Sequence, residues 1–271
     1  MKKKKVNSYD SLVEKLANAS NPEQLVNIYS DEDAKNLFEF YLKKHSEVLI
    51  YKQLYVSTFF PAVNKVIALD QKAHRNSKYK KLLILSEDDF KENLYEVIRL
   101  AYVGLFHKYE NFIDSLIKFT IQLYRDDYKD RKEFEKVMKD KLEYRIKDWK
   151  NFGTINRLNW IVNCIKHYDS YPLKRNEREL NQGVPLEYLN YPADEKIRLS
   201  TKDFKEDVDR VVKIFEFMFS FIPKIGPLKD MFRDDDDYIN LMGREYVEES
   251  HRKADAICSQ LKEALETLKI L

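Results

Sequence analysis

Glycine is scarce in this chain: five occur in 271 residues, and no two lie close together. A Rossmann fingerprint, a Walker loop and a nucleophile elbow each need glycine where backbone meets phosphate or turns sharply, so all three are excluded. Only seven prolines interrupt the sequence. The two cysteines, Cys164 and Cys258, have neither metal-ligand spacing nor the density of a disulfide framework, and read as reduced thiols of a cytoplasmic protein. No long apolar run exists. The greasiest stretch, Val211 to Ile222, is broken by Lys213 and Glu216 and is too short to span a bilayer, so no membrane partner is expected. The tetralysine at residues 2–5 leads into polar residues, not the apolar core of a signal peptide. One-sided charge is missing too. At a net +2, with 35% charged residues, there is no global basic field of the kind that coats nucleic acid.

What is present is helical. Lysine, glutamate, leucine and tyrosine are abundant, and apolar residues recur at three- and four-residue spacing over most of the chain. That periodicity predicts helices over Tyr9–Ala19, Asp31–His45 and Glu47–Asp70, with Pro61 kinking or splitting the last. Ala73 to Lys81 is polar and basic and reads as a connection. Ser86-Glu-Asp-Asp89 is a capped helix start, opening a helix to about Arg125. A charged helix is expected from Tyr128 to about Trp149, a break at Asn151-Phe-Gly153, and a further helix ending at His167. Three prolines and Gly183 make residues 168–200 a long loop, carrying a basic knot of Lys174, Arg175 and Arg178 that could contact RNA phosphates. Ser200 with Asp203 caps another helix, which stops before Pro223. The last helix places Ala254, Ile257, Leu261, Ala264, Leu268 and Leu271 on a short heptad seam.

The chemistry-bearing residues fall on two helices. Asn159, Asn163 and His167 recur every four residues with Lys166 one step away, so all four share one face, opposite Leu158, Ile161, Val162 and Ile165. On the helix after Ser86, His107, Glu110, Asn111 and Asp114 lie at i, i+3, i+4 and i+7 and form another polar face. His107 with Glu110 is a His-x-x-Glu pair, but a di-iron bundle needs Glu-x-x-His on two helices and two further carboxylates. No metal and no other cofactor is expected.

A long helix with a polar pair at its middle, a helix ending Asn163-Cys-Ile-Lys166-His167 and a closing apolar helix together resemble the HEPN superfamily, the higher-eukaryote and prokaryote nucleotide-binding domains. The resemblance covers residues 86–225. It implies an all-α, up-and-down helical bundle, with an N-terminal helical layer at 1–85 and a C-terminal helix in 226–271 suited to oligomerisation or partner contact. It further implies a dimer, or a larger complex with a partner protein, and an RNA-directed effector. Many members are metal-independent endoribonucleases of toxin–antitoxin or antiphage systems; others only bind. Matched to the family motif, Asn163 stands for its asparagine and His167 for its histidine, with Asn159, His107, Glu110 and Asn111 in support. The family's usual arginine is replaced by Val162, and the nearest upstream arginine, Arg157, lies ten residues before His167. Lys166 would then supply the charge that binds phosphate. A non-catalytic helical adaptor that binds a partner protein is the alternative.

Overall fold

The computed structural model describes residues 32–145, 153–172, 192 and 194–270. Every regular element among them is a helix, so the protein is all-α. In chain order these are α1 (Glu32–Leu54), a π turn (Tyr55–Phe59), α2 (Phe60–Asn76), α3 (Glu87–Leu123), α4 (Arg131–Leu142), α5 (Gly153–His167), α6 (Thr201–Ile225), α7 (Leu228–Met231), α8 (Asp236–Met242) and α9 (Arg244–Ile270). The chain divides into two compact units, Met1–Ile50 and Tyr51–Leu271, the division falling within α1.

In the first unit, Leu37, Phe38, Tyr41, His45 and Val48 form a buried stripe along α1. The helix expected to end near His45 runs on to Leu54, because no residue there breaks it. Pro61 is absorbed at the start of α2, next to the five-residue π turn. Proline has no N–H to give the carbonyl four residues back, and a locally widened turn accommodates the gap.

In the second unit, α3 is the spine and packs on α2, α4, α5 and α6; α9 packs on α4 to α8. Ser86 and Asp89 form a reciprocal capping box at the head of α3. Ser200 and Asp203 do the same at α6, with the Asp203 N–H donating to Ser200 Oγ at 3.0 Å. The core is aromatic: Phe112 and Phe215 stack at 3.7 Å between ring centres, and Tyr102 and Phe60 meet Phe204 edge-on at 5.4 and 5.5 Å.

Further features differ from those the sequence predicts. Helix α4 starts after the Asp130 cap and ends at Leu142, where Glu143 turns left-handed at φ 56°. Helix α6 does not stop before Pro223 but continues to Ile225; in the final turn proline forfeits only one backbone bond. On α9 the buried stripe is Val247, Ala254, Cys258, Leu261 and Leu265, one residue away from the expected seam at two positions. That stripe packs within the unit.

Candidate functional site

Helix α5 owes its placement to one thoroughly apolar face. Ile155, Leu158, Trp160, Ile161, Val162 and Cys164 are buried where α5 packs on α3, α6 and α9. The stripe predicted from spacing lies on the other side. Asn159 and Asn163 are half-buried, Lys166 and His167 are exposed, and the Asn163 Nδ2 donates to Asn159 Oδ1 at 3.3 Å. Among the described residues neither Lys166 nor His167 has a side-chain hydrogen bond or ion pair.

The end of α5 is held firmly. The N–H groups of Tyr168 and Ser170 both donate to the Cys164 carbonyl, at 3.1 and 3.0 Å. Asp169 and Ser170 adopt φ of 48° and 69°, a left-handed conformation that costs energy without glycine. Such a conformation persists only where its surroundings fix it. Here Ser170 is buried and its carbonyl accepts from the Ile197 N–H at 2.8 Å, while Lys196 pairs with Asp169 at 3.1 Å. The strand of chain before α6 therefore straps the turn that follows His167.

Arg157 is not on this stripe. Its side chain is only 13% exposed and pairs with Asp207 at 3.3 Å. Asp207 is fully buried, accepts from the Tyr102 hydroxyl at 2.8 Å and meets Arg210 at 3.3 Å. Burial raises its carboxyl above the usual range, against the opposing pull of Arg157, Tyr102 and Arg210. Arg157 is thus committed to a buried polar knot joining α3, α5 and α6, leaving Lys166 as the cation beside His167. The knot was legible in part: Asp207 falls on the core face of α6 between Phe204 and Val211, where a carboxylate needs partners. A second buried cation, Arg99, is bound by Glu92 and Glu96 and donates to the Ile197 carbonyl at 3.3 Å.

His107, Glu110, Asn111 and Asp114 line a cleft of about 890 Å³ whose opposite wall is α4. His107 and Asn111 are joined there, ring Nε2 to amide Nδ2, at 3.1 Å. Arg131 ties the walls together, reaching Asp114 at 2.9 Å and Glu135 at 2.7 Å. Lys132, Lys136 and Lys139 project along the α4 wall. Asn159, Asn163, Lys166 and His167 are not among the cleft's lining residues.

Lys174, Arg175 and Arg178 lie outside the described residues. Among the described residues no group of three or more histidines, cysteines and carboxylates could hold a metal ion. Cys164 and Cys258 are buried and not joined in a disulfide. No helix of the described residues is long and apolar enough to cross a membrane. No family model matches the chain, and no curated protein or solved structure shows significant similarity to it.

Proposed function

We propose that this chain is a HEPN-like, RNA-directed effector that cleaves RNA without a metal at the end of α5. One observation carries the reading: Lys166 and His167 stand exposed at the tip of a helix whose opposite face is sunk in the core. A histidine and a lysine fixed side by side, with the amides of Asn159 and Asn163 behind them, suit phosphodiester chemistry. The RNA 2′-hydroxyl attacks the adjacent phosphorus, forming the 2′-O–P bond and breaking the bond to the 5′-oxygen. His167 accepts the 2′-hydroxyl proton, imidazole being suited to that exchange near neutral pH. Lys166 stabilises the charge that builds on the phosphoryl oxygens. The departing 5′-oxygen takes its proton from an imidazolium, which a second copy of the chain can supply. Products are a 2′,3′-cyclic phosphate and a 5′-hydroxyl.

The test is incubation of the purified protein with labelled RNA in EDTA. Wild type should cleave, and His167→Ala and Lys166→Ala should each lose at least a hundredfold in rate, the lower range for a general acid–base group. Cleavage surviving His167→Ala removes the site. RNA left intact by wild type favours the second reading, a non-catalytic helical adaptor. That reading has its own observation in the exposed apolar run Leu82-Leu83-Ile84-Leu85.

A further inference from the structure

Four consecutive large apolar residues stand exposed in the connection between α2 and α3. Leu82 is 78% exposed, Leu83 57%, Ile84 92% and Leu85 43%, with Tyr79 just before them at 53%. An isolated exposed leucine needs no explanation, whereas a contiguous run marks a surface that something covers. Side chains this open stand on a projection and not in a groove, since Ile84 touches almost nothing of its own chain. The projection is held in place. The N–H groups of Leu82 and Leu83 both donate to the Tyr79 carbonyl, and His74 Nε2 lies 2.9 Å from the Leu83 carbonyl. The His74 ring packs on Phe90 at 5.5 Å, so the end of α2 sits beside the start of α3.

Charge beside the run is free on one side only. Residues 72–81 hold Lys72, Arg75, Lys78, Lys80 and Lys81 and no carboxylate. All five are exposed, and among the described residues none is in an ion pair. Lys78 instead lies over the Tyr79 ring at 4.9 Å. The carboxylates at the start of α3 are already engaged within the chain. Glu87 pairs with Lys91, Asp88 with Arg198, and Glu92 and Glu96 with Arg99, while Asp89 accepts from Ser86 in the capping box. The apolar run therefore adjoins unneutralised positive charge, which calls for a partner that is anionic at its surface and apolar beneath it. RNA would answer the lysines and leave four apolar side chains in water. A bilayer carrying acidic lipid answers both, and it receives a projection where a protein would have to offer a groove.

We propose that the α2–α3 connection docks this chain on anionic bilayer surfaces, Leu82–Leu85 entering the boundary between headgroups and acyl chains. Lys78, Lys80 and Lys81 then lay their stems along the apolar layer and reach the anionic headgroups with their ammonium groups. Tyr79 takes the headgroup level, where an amphipathic ring is favoured. No helix of the described residues is long and apolar enough to span a bilayer, and contact with its surface needs none. The docking does not depend on catalysis at the end of α5.

The experiment is sedimentation of the full chain with phosphatidylcholine vesicles that contain phosphatidylserine, with far-UV circular dichroism to confirm folding of each variant. Wild type should pellet with the vesicles, and added salt should weaken the binding. Ile84→Asp should bind on the order of tenfold more weakly or worse, the loss expected when one large apolar side chain stays in water. Lys80→Gln combined with Lys81→Gln should lose roughly 25-fold, each lysine near an acidic surface being worth about fivefold. Ile84→Trp should bind as wild type does, and the emission it adds should shift to the blue as the indole leaves water. Wild type that stays in solution overturns the proposal and leaves the run to a protein partner. Binding that persists in Ile84→Asp also overturns it, placing the contact elsewhere, as on the tetralysine at residues 2–5. So does an Ile84→Trp emission that does not move when the chain is bound.

Discussion

Asp207 has no exposure, yet four groups converge on it: Arg157, Arg210, Tyr102 and, less closely, the like-charged Asp203. Removing one partner of a buried ion pair is costly because the other charge keeps its desolvation penalty. Asp207→Ala should therefore lower stability by about 3 kcal/mol in urea unfolding. The pH dependence has a definite sign. Burial raises the folded carboxyl above its unfolded value, so the folded state holds the proton over a window that begins near pH ~4. Within it the folded state binds more protons than the unfolded one, and stability from this group falls as pH rises. Asp207→Asn should flatten that descent when urea midpoints are followed upward from pH ~4. A variant with the wild-type slope would show that another group sets it.

Helix α3 carries a glycine where propensity alone argues for alanine. In an exposed helix interior, Gly→Ala gains up to about 1 kcal/mol. At Gly104 an added Cβ would lie 2.0 Å from the Tyr51 hydroxyl oxygen and 2.8 Å from its Cζ. That hydroxyl donates to the Ala101 carbonyl at 2.9 Å, a bond that the displaced ring would lose. Gly104→Ala should thus destabilise by about 1–3 kcal/mol, and Tyr51→Phe in the same background should recover part of the loss. Thermal unfolding of wild type and the two variants decides it. Contacts of this kind are invisible in the sequence, since 53 residues separate the two partners. Local signals were readable: the capping boxes at Ser86 and Ser200 and the polar stripe of α5 depend only on neighbours within a few residues. Where a helix stops was harder to read. Helix α4 closes at Glu143 without glycine, helped by the Lys262–Glu143 pair from α9 at 2.8 Å.

Across the second unit, the small net charge conceals local separation of sign, and one separation bears on how RNA would approach. Lys132, Lys136 and Lys139 lie at i, i+4 and i+7 on the cleft wall formed by α4. They are spaced by roughly 6 and 4.5 Å along the helix axis. All three are exposed, and none is in an ion pair among the described residues. Arg131 differs, being neutralised by Asp114 and Glu135. If RNA reaching the end of α5 also lies along this wall, its phosphates release counterions from three lysines. The Lys132→Gln, Lys136→Gln, Lys139→Gln triple variant should then bind a labelled single strand more weakly. Its plot of log affinity against log salt should be shallower by about 2, since each phosphate contact on a single strand contributes roughly 0.7. His167→Ala should bind with wild-type affinity and salt dependence, because a group that transfers a proton in the transition state adds little to ground-state attraction. An unchanged slope in the triple variant would take α4 off the path of the strand, leaving the end of α5 as the surface that meets it.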